Sequence, residues 1–261
     1  MKLTNIPGRG GGNGWDHLAR HPGDAHLLGI SSPTLITNKL PGDAAINHDD
    51  LTPLAVLYTE YIVFVVREDS PMRTGADLLQ RLKDPASLTI ALATAIGNIN
   101  HIALAQCAKH AGGDVKALRL NVFDSALYAV ADVIGQRAEV GAVTAVSAVK
   151  ELAAGKLRAL ALSSPRRMPG RFANVPTWRE QGVDCMIGTW RGVTGTNGLA
   201  AGEIAYWDRT FKAAAQSDDW NAELQQHYWA HTYMDSAAAR DFLAIEQHIM
   251  QKALSDLGLI A

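Results

Sequence analysis

Two stretches of this sequence carry residue types that suit the binding of an anion. The first runs from Ile6 to Asp16 and holds Gly8, Gly10, Gly11, Gly12 and Gly14, five glycines in eleven residues, just ahead of a helix predicted over 15–20. Without Cβ atoms such a chain reaches positive φ and turns its N–H groups towards a guest, and a helix start behind it adds the positive end of a dipole. The same composition so near Met1 also suits a loose terminus, and the residues alone leave both readings open. The second stretch, Ala93 to His101, passes from the end of a predicted strand through Thr94, Gly97 and Asn98 into a predicted helix. Thr94 and Asn98 carry hydrogen-bond donors, Asn98 suits an N-cap, and the first N–H groups of a helix lack internal partners. Ser31, Ser32 and Thr34 form a third group of small hydroxyl residues, at the end of a strand predicted over 26–30, where ligands of α/β proteins are commonly met.

Other chemistry is not written in the chain. No GxSxG, GxxxxGK[ST] or HExxH occurs, and the glycines of the first stretch miss GxGxxG because the sixth position falls on Asn13, Trp15 or His17. His17 with His21, and His227 with His231, are each four apart, yet neither pair has a third residue at metal-ligand spacing, so both are expected to be ordinary surface or half-buried histidines. Arg166, Arg167 and Arg171 form a small basic cluster expected on a solvated loop. Cys107 and Cys185 form no CxxC; one long-range disulfide is possible, but two small buried side chains, Cys107 in a helix and Cys185 in a strand-like run, fit better. No catalytic residue, metal or cofactor is therefore expected.

The elements that position these residues follow from pattern. The chain has 261 residues, 48% of them hydrophobic and 19% charged, which suits one large domain or two lobes. Its net charge of −2 gives no electrostatic case for nucleic acid, and no apolar run is long enough to span a membrane. Strands are predicted over 54–58, 61–66, 88–93, 117–121, 140–143 and 157–162, with helices over 75–82, begun by Thr74 and Asp77 as a capping box, 98–111, 125–134 and 145–154 between them. That cadence implies parallel pairing, hence a doubly wound α/β sheet. After a short strand over 186–190 the chain is predicted mostly helical, over 203–216, 220–226 and 236–256, the last capped by Asp235. A helical tail needs a core to dock on, which points to one lobe built from both chain ends, residues 1–63 and 191–261, around an inserted lobe of residues 64–190.

At this level the sequence resembles the periplasmic substrate-binding proteins of tripartite tricarboxylate transporters, the Bug or TctC-like receptors. Pro7, Gly8, Arg9, Gly10 and Gly11 with Gly14 resemble the family's PGAGG stretch, and Gly97 with His101 its small-residue loop ending in histidine. Gly155 to Ala161 resembles its GKLRALA segment, Val175, Pro176 and Thr177 with Glu180 and Gly182 its VPT..E.G segment, and Trp190 to Gly192 its return to the first lobe. The resemblance implies an α/β, two-lobed Venus-flytrap receptor for a small carboxylate, served by membrane transporter subunits, periplasmic and monomeric by family habit. By position it implies a ligand site of Gly10, Gly11, Ser31, Ser32, Thr34, Thr94, Gly97 and Asn98, with Thr144 at the head of a second-lobe helix, while His101 is assigned to holding its own helix. A carboxylate sensor outside transport, a degenerate short receptor and, last, an enzyme on the same fold are the alternative readings.

Four departures bear on the site. Arg9 stands where the family has a small residue and is either a ligand-facing cation or a solvated loop residue. Asp124 and Ser125 replace a Lys-Gly pair after the aromatic at Phe123, and Ile96, Asn98 and Asn100 replace smaller residues, changes expected to narrow or repolarise the pocket. Finally, Met1 falls almost at the PGAGG-like segment, so the sequence is expected to be without the family's signal peptide and first β-α unit.

Overall fold

The computed structural model describes residues 2–38 and 46–260. In chain order the elements are α1 (Gly12–Ala19), β1 (Leu28–Ser31), α2 (Thr34–Thr37), β2 (Thr52–Arg67), α3 (Gly75–Arg81), β3 (Thr89–Ala93), α4 (Ile99–His110), β4 (Arg119–Phe123), α5 (Ala126–Ile134), β5 (Val140–Thr144), α6 (Ala145–Ala153), β6 (Leu157–Leu162), β7 (Gly188–Gly195), α7 (Ala201–Ala215), α8 (Asp218–Gln226), β8 (Ala230–Met234) and α9 (Ser236–Asp256). They divide into two compact units, Met1–Thr59 with Trp190–Ala261, and Glu60–Thr189.

The unit Glu60–Thr189 is an α/β layer structure. Its strand order is β6-β2-β5-β3-β4. β3 pairs in parallel with both β4 and β5, while the distal half of β2 runs antiparallel between β5 and β6. Uniformly parallel pairing, expected from the strand-helix cadence, therefore holds for the β4-β3-β5 part alone. β2 enters as the continuation of a strand begun in the other unit, so its direction is set there and not by a helical crossover. Ile62 to Val66 and Ile90 to Leu92 are fully buried, which explains why both read as continuous β-branched and aliphatic runs without alternation. Thr74 and Asp77 form the expected reciprocal capping box on α3.

Cys107 on α4 and Cys185 are both buried and both free. Cys185 lies in the irregular segment ahead of β7, not in a strand, and its Sγ–H donates to the Ala103 carbonyl at 3.5 Å, one turn before Cys107. Burial, and then the neighbouring Cys185 thiol, push the Cys107 thiol well above its ordinary range. Native protein treated with an aromatic disulfide reagent at neutral pH is expected to release no thiolate on the time scale of an exposed thiol, and to release it fully once denatured; fast native release would show an open site.

In the other unit β1 pairs antiparallel with β7, Leu28 opposite Gly195 and Ser31 opposite Gly192, and β8 pairs antiparallel with the proximal half of β2. β7 adjoins β2, where the Thr52 hydroxyl donates to the Thr196 carbonyl at 2.7 Å and the Thr194 hydroxyl to the Thr52 carbonyl at 3.1 Å. A Cβ on Gly192 would stand 2.5 Å from the Ala55 carbonyl oxygen and 2.9 Å from Ser31 Oγ, so only glycine fits there. The two runs expected over 54–58 and 61–66 are one strand of 16 residues. Neither Thr59 nor Glu60 breaks it, and Thr59 Oγ1 meets Thr232 Oγ1 on β8 at 3.0 Å. β8 falls between the helices expected over 220–226 and 236–256, where no strand was expected. The tail docks through α9, whose Leu243, Met250 and Leu254 are buried and whose first turn is capped by Asp235 accepting from the Ala238 N–H at 3.0 Å. Trp190 is buried against Phe242, and its Nε1–H donates to Glu246 Oε2 at 3.2 Å; desolvation raises the Glu246 carboxyl despite that bond.

Candidate functional site

The register of unit Glu60–Thr189 levels three strand ends. Ala93 is opposite Phe123 and Leu92 opposite Ala142, so β3, β4 and β5 finish side by side and release three turns at one sheet edge, each leading into a helix. Thr94, Gly97, Asn98 and Thr144 all lie there, at the carboxyl ends of parallel strands. Thr94 is exposed, Thr144 and Asn98 half-buried, Gly97 buried with φ +83.

Side chains hold the first turn from within. Asn98 Oδ1 accepts from the His101 N–H at 3.1 Å as the N-cap of α4, and its Nδ2–H donates to the Ala93 carbonyl at 2.5 Å, a carbonyl that also receives Asn100. Asn98 is thus engaged on its own loop through both ends of the amide. The Gly97 N–H donates to His101 Nδ1 at 2.9 Å, so the ring holds the turn ahead of its helix, and burial pulls the His101 pKa down to about 4, which keeps the ring neutral and Nδ1 an acceptor. At the neighbouring turns Ser125 caps α5 through the Leu127 N–H at 3.3 Å. The Thr144 hydroxyl bonds Ser147 Oγ at 2.9 Å and does not cap α6.

In the other unit the glycine stretch is an ordered turn. Gly8, Gly10 and Gly11 have φ of +116, +58 and +103, and Gly11 is the N-cap residue of α1 with no side-chain cap. Trp15 anchors the helix in a cluster with Leu18, Leu35 and Leu51, and its Nε1–H donates to the Ile30 carbonyl at 3.0 Å. The Thr34 hydroxyl donates to the Gly10 carbonyl at 3.0 Å, Ser32 Oγ meets Thr34 Oγ1 at 2.7 Å, and Asn38 Nδ2–H donates to the Arg9 carbonyl at 2.8 Å. Because a trans peptide sets C=O and N–H on opposite sides, fixing the Arg9 carbonyl on Asn38 turns the Gly10 N–H away from α2. Gly10, Gly11, Ser32 and Thr34 are brought together here. Ser31 is a buried strand residue beside Gly192, and the polar turn expected over 31–34 is shorter, because Pro33 starts α2 directly after it.

Arg9 is folded back on its own helix: Nε–H donates to Asn13 Oδ1 at 2.8 Å and Nη2 pairs with Asp16. Asn38, Asn13 and Asp16 were not legible as loop supports; Asn38 had a weak signal, standing one helical turn beyond Thr34. The histidine pairs turn to local structure: His227 stacks on Trp229 at 4.6 Å and pairs with Glu223, and the His231 ring meets the Ala215 carbonyl at 3.2 Å. Arg167 pairs with Glu180 at 2.9 Å. Among the described residues, no group of three His, Cys, Asp or Glu side chains could hold a metal, and no helix is long and apolar enough to cross a membrane.

The family model for the tripartite tricarboxylate transporter family receptor, TctC, matches residues 3–259. The chain belongs to this receptor family. A curated relative, the "UPF0065 protein in tcbD-tcbE intergenic region" of Pseudomonas sp. strain P51, is 28% identical over 231 residues, which are 86% of this chain and 67% of the relative. A TctC solute-binding protein from Polaromonas, solved without ligand, superposes with a TM-score of 0.79 at 24% identity, covering 97% of this chain and 86% of that one. R. palustris Rpa4515 with adipate superposes with a TM-score of 0.83 at 20% identity, covering 96% and 84%. The fold class is therefore that of the two-lobed periplasmic binding proteins, as the sequence resemblance implied.

Proposed function

We propose that this protein is an extracytoplasmic receptor that captures a small organic carboxylate for a tripartite tricarboxylate-type transporter, by binding and not by turnover. The observation that carries the reading is the level ending of β3, β4 and β5, which sets three helix-entering turns together at one edge. The α4, α5 and α6 N-termini there present partial positive charge to an anion, each contributing on the order of 0.3 to 1 kcal/mol before any direct hydrogen bond. Thr94, Gly97, Asn98 and Thr144 are the ligand residues of this unit in the reading; in the other unit Gly10, Gly11, Ser32 and Thr34 gather at the glycine turn, and Ser31 is buried on β1. Family membership supports the transport role, and adipate in Rpa4515 supports the ligand class. In this reading the protein works in the periplasm as a monomer alongside membrane transporter subunits.

A thermal-shift panel of mono-, di- and tricarboxylates tests it. A true ligand at about 100 times Kd adds roughly 2.7 kcal/mol, a rise of about 5 to 10 °C for a chain of this size. A flat response across the panel by folded protein would overturn the reading.

A further inference from the structure

We propose that the ligand is a singly charged carboxylate with an apolar body, which rests on Ile96, Leu127 and Tyr128, and that Asp124 turns away a second carboxylate. The inference rests on the receptor reading above and narrows its ligand class.

The charge inventory of the edge comes first. Across 94–101, 123–128 and 144–148, the three turns and the helix starts behind them, the one ionised side chain is Asp124, which is exposed; His101 is neutral and faces inward to Gly97. Helix N-termini and neutral donors suffice for one carboxylate. A second carboxylate on the same ligand would find no Lys or Arg there and would approach a like charge.

The apolar inventory points the same way. Ile96 is 57% exposed, Leu127 67% and Tyr128 65%, and all three sit in the turn after β3 or the first turn of α5, next to the donors. Further along α5, Ala129, Val130 and Val133 are buried in the unit, so the large exposed apolar side chains of this helix stand at the end that meets the edge. A carboxylate with a ring or branched chain would cover these side chains, which a hydrophilic diacid would leave in water.

Calorimetry on the full chain separates the cases, with benzoate and isovalerate as singly charged probes and adipate and malate as doubly charged ones. A monocarboxylate is expected to bind at least about tenfold more tightly than either diacid. Asp124→Lys is expected to strengthen adipate by about tenfold, and the pair Leu127→Ser with Tyr128→Ser to weaken the better monocarboxylate by a similar factor. The melting temperature of each variant without ligand checks folding, which exposed positions should preserve. Tighter binding of a diacid, or no gain for adipate in Asp124→Lys, overturns this inference and leaves the receptor reading intact. Silence of all four probes on folded protein, together with a flat wider panel, overturns both.

Discussion

Lowering the pH from about 7.5 to about 4.5 is expected to cost the wild-type chain roughly 2.5 kcal/mol more unfolding free energy than it costs a His101→Gln variant. The cause is the ring's burial against the Gly97 N–H. Nδ1 accepts that bond at 2.9 Å, so the folded state holds the ring neutral down to about pH 4, whereas the unfolded chain protonates it near the ordinary histidine value of about 6.5. Above the unfolded pKa neither state carries the proton and the contribution is complete. Between the two values only the unfolded state gains the proton, so stability falls as pH falls. Below about 4 both states carry it and the loss stops. Glutamine at 101 keeps an acceptor for Gly97 without a titration. Carboxyl groups titrate over part of the same range, and Glu246, raised by desolvation, runs in the opposite direction. Urea unfolding of both proteins at several pH values removes these shared terms in the difference. A flat difference would show that His101 titrates normally.

This bond also marks where sequence reading stops. Glycine at 97 and histidine at 101 were visible as part of a motif, and a structural role for the ring was expected, but neither its burial nor its acceptor state can be read from residue types. Most caps were legible: Thr74 with Asp77, Asn98 and Asp235 act locally, within three residues, and local rules found them, whereas Ser125, read as the first helical residue, is the cap of α5. The helix α9 was found over its whole length, since one apolar side repeats along it. Strand partners were less legible. The antiparallel course of β2 depends on a chain entering from another unit, and β8 on pairing with residues more than 170 positions earlier, so neither leaves a local trace. At the site, glycines and hydroxyls announced themselves by type. Their supports, Asn38 on the Arg9 carbonyl and Asp16 on the Arg9 guanidinium, depend on tertiary approach and did not. The charge balance at the turns, with Asp124 in place of a lysine, was visible in the sequence. That β3 and β4 end level, which sets Asp124 beside the turn after β3, was not.

Gly11→Asp is expected to weaken carboxylate binding by about 30-fold or more, an effect of about 2 kcal/mol or more. Two terms combine. Gly11 has φ +103, where a side chain is strained by about 1–2 kcal/mol. A Cβ there would also stand 3.0 Å from two atoms of the Trp15 indole, the anchor of α1, so the turn must shift to admit it. The second term is charge. A carboxylate at the N-cap of α1 satisfies the helix start itself and repels an anion that would occupy the same donors. Gly11→Asn separates the two terms, because asparagine matches the shape, tolerates positive φ better than most residues and lacks the charge. Calorimetry with the acid that gives the largest thermal shift should rank wild type, Asn and Asp in that order, Asp at least about fivefold weaker than Asn. Melting temperatures measured without ligand tell a misfolded turn from a repelled ligand. If Asn and Asp bind equally, strain alone explains the loss and no anion docks at this helix start. If both bind as wild type, the glycine turn lies outside the site.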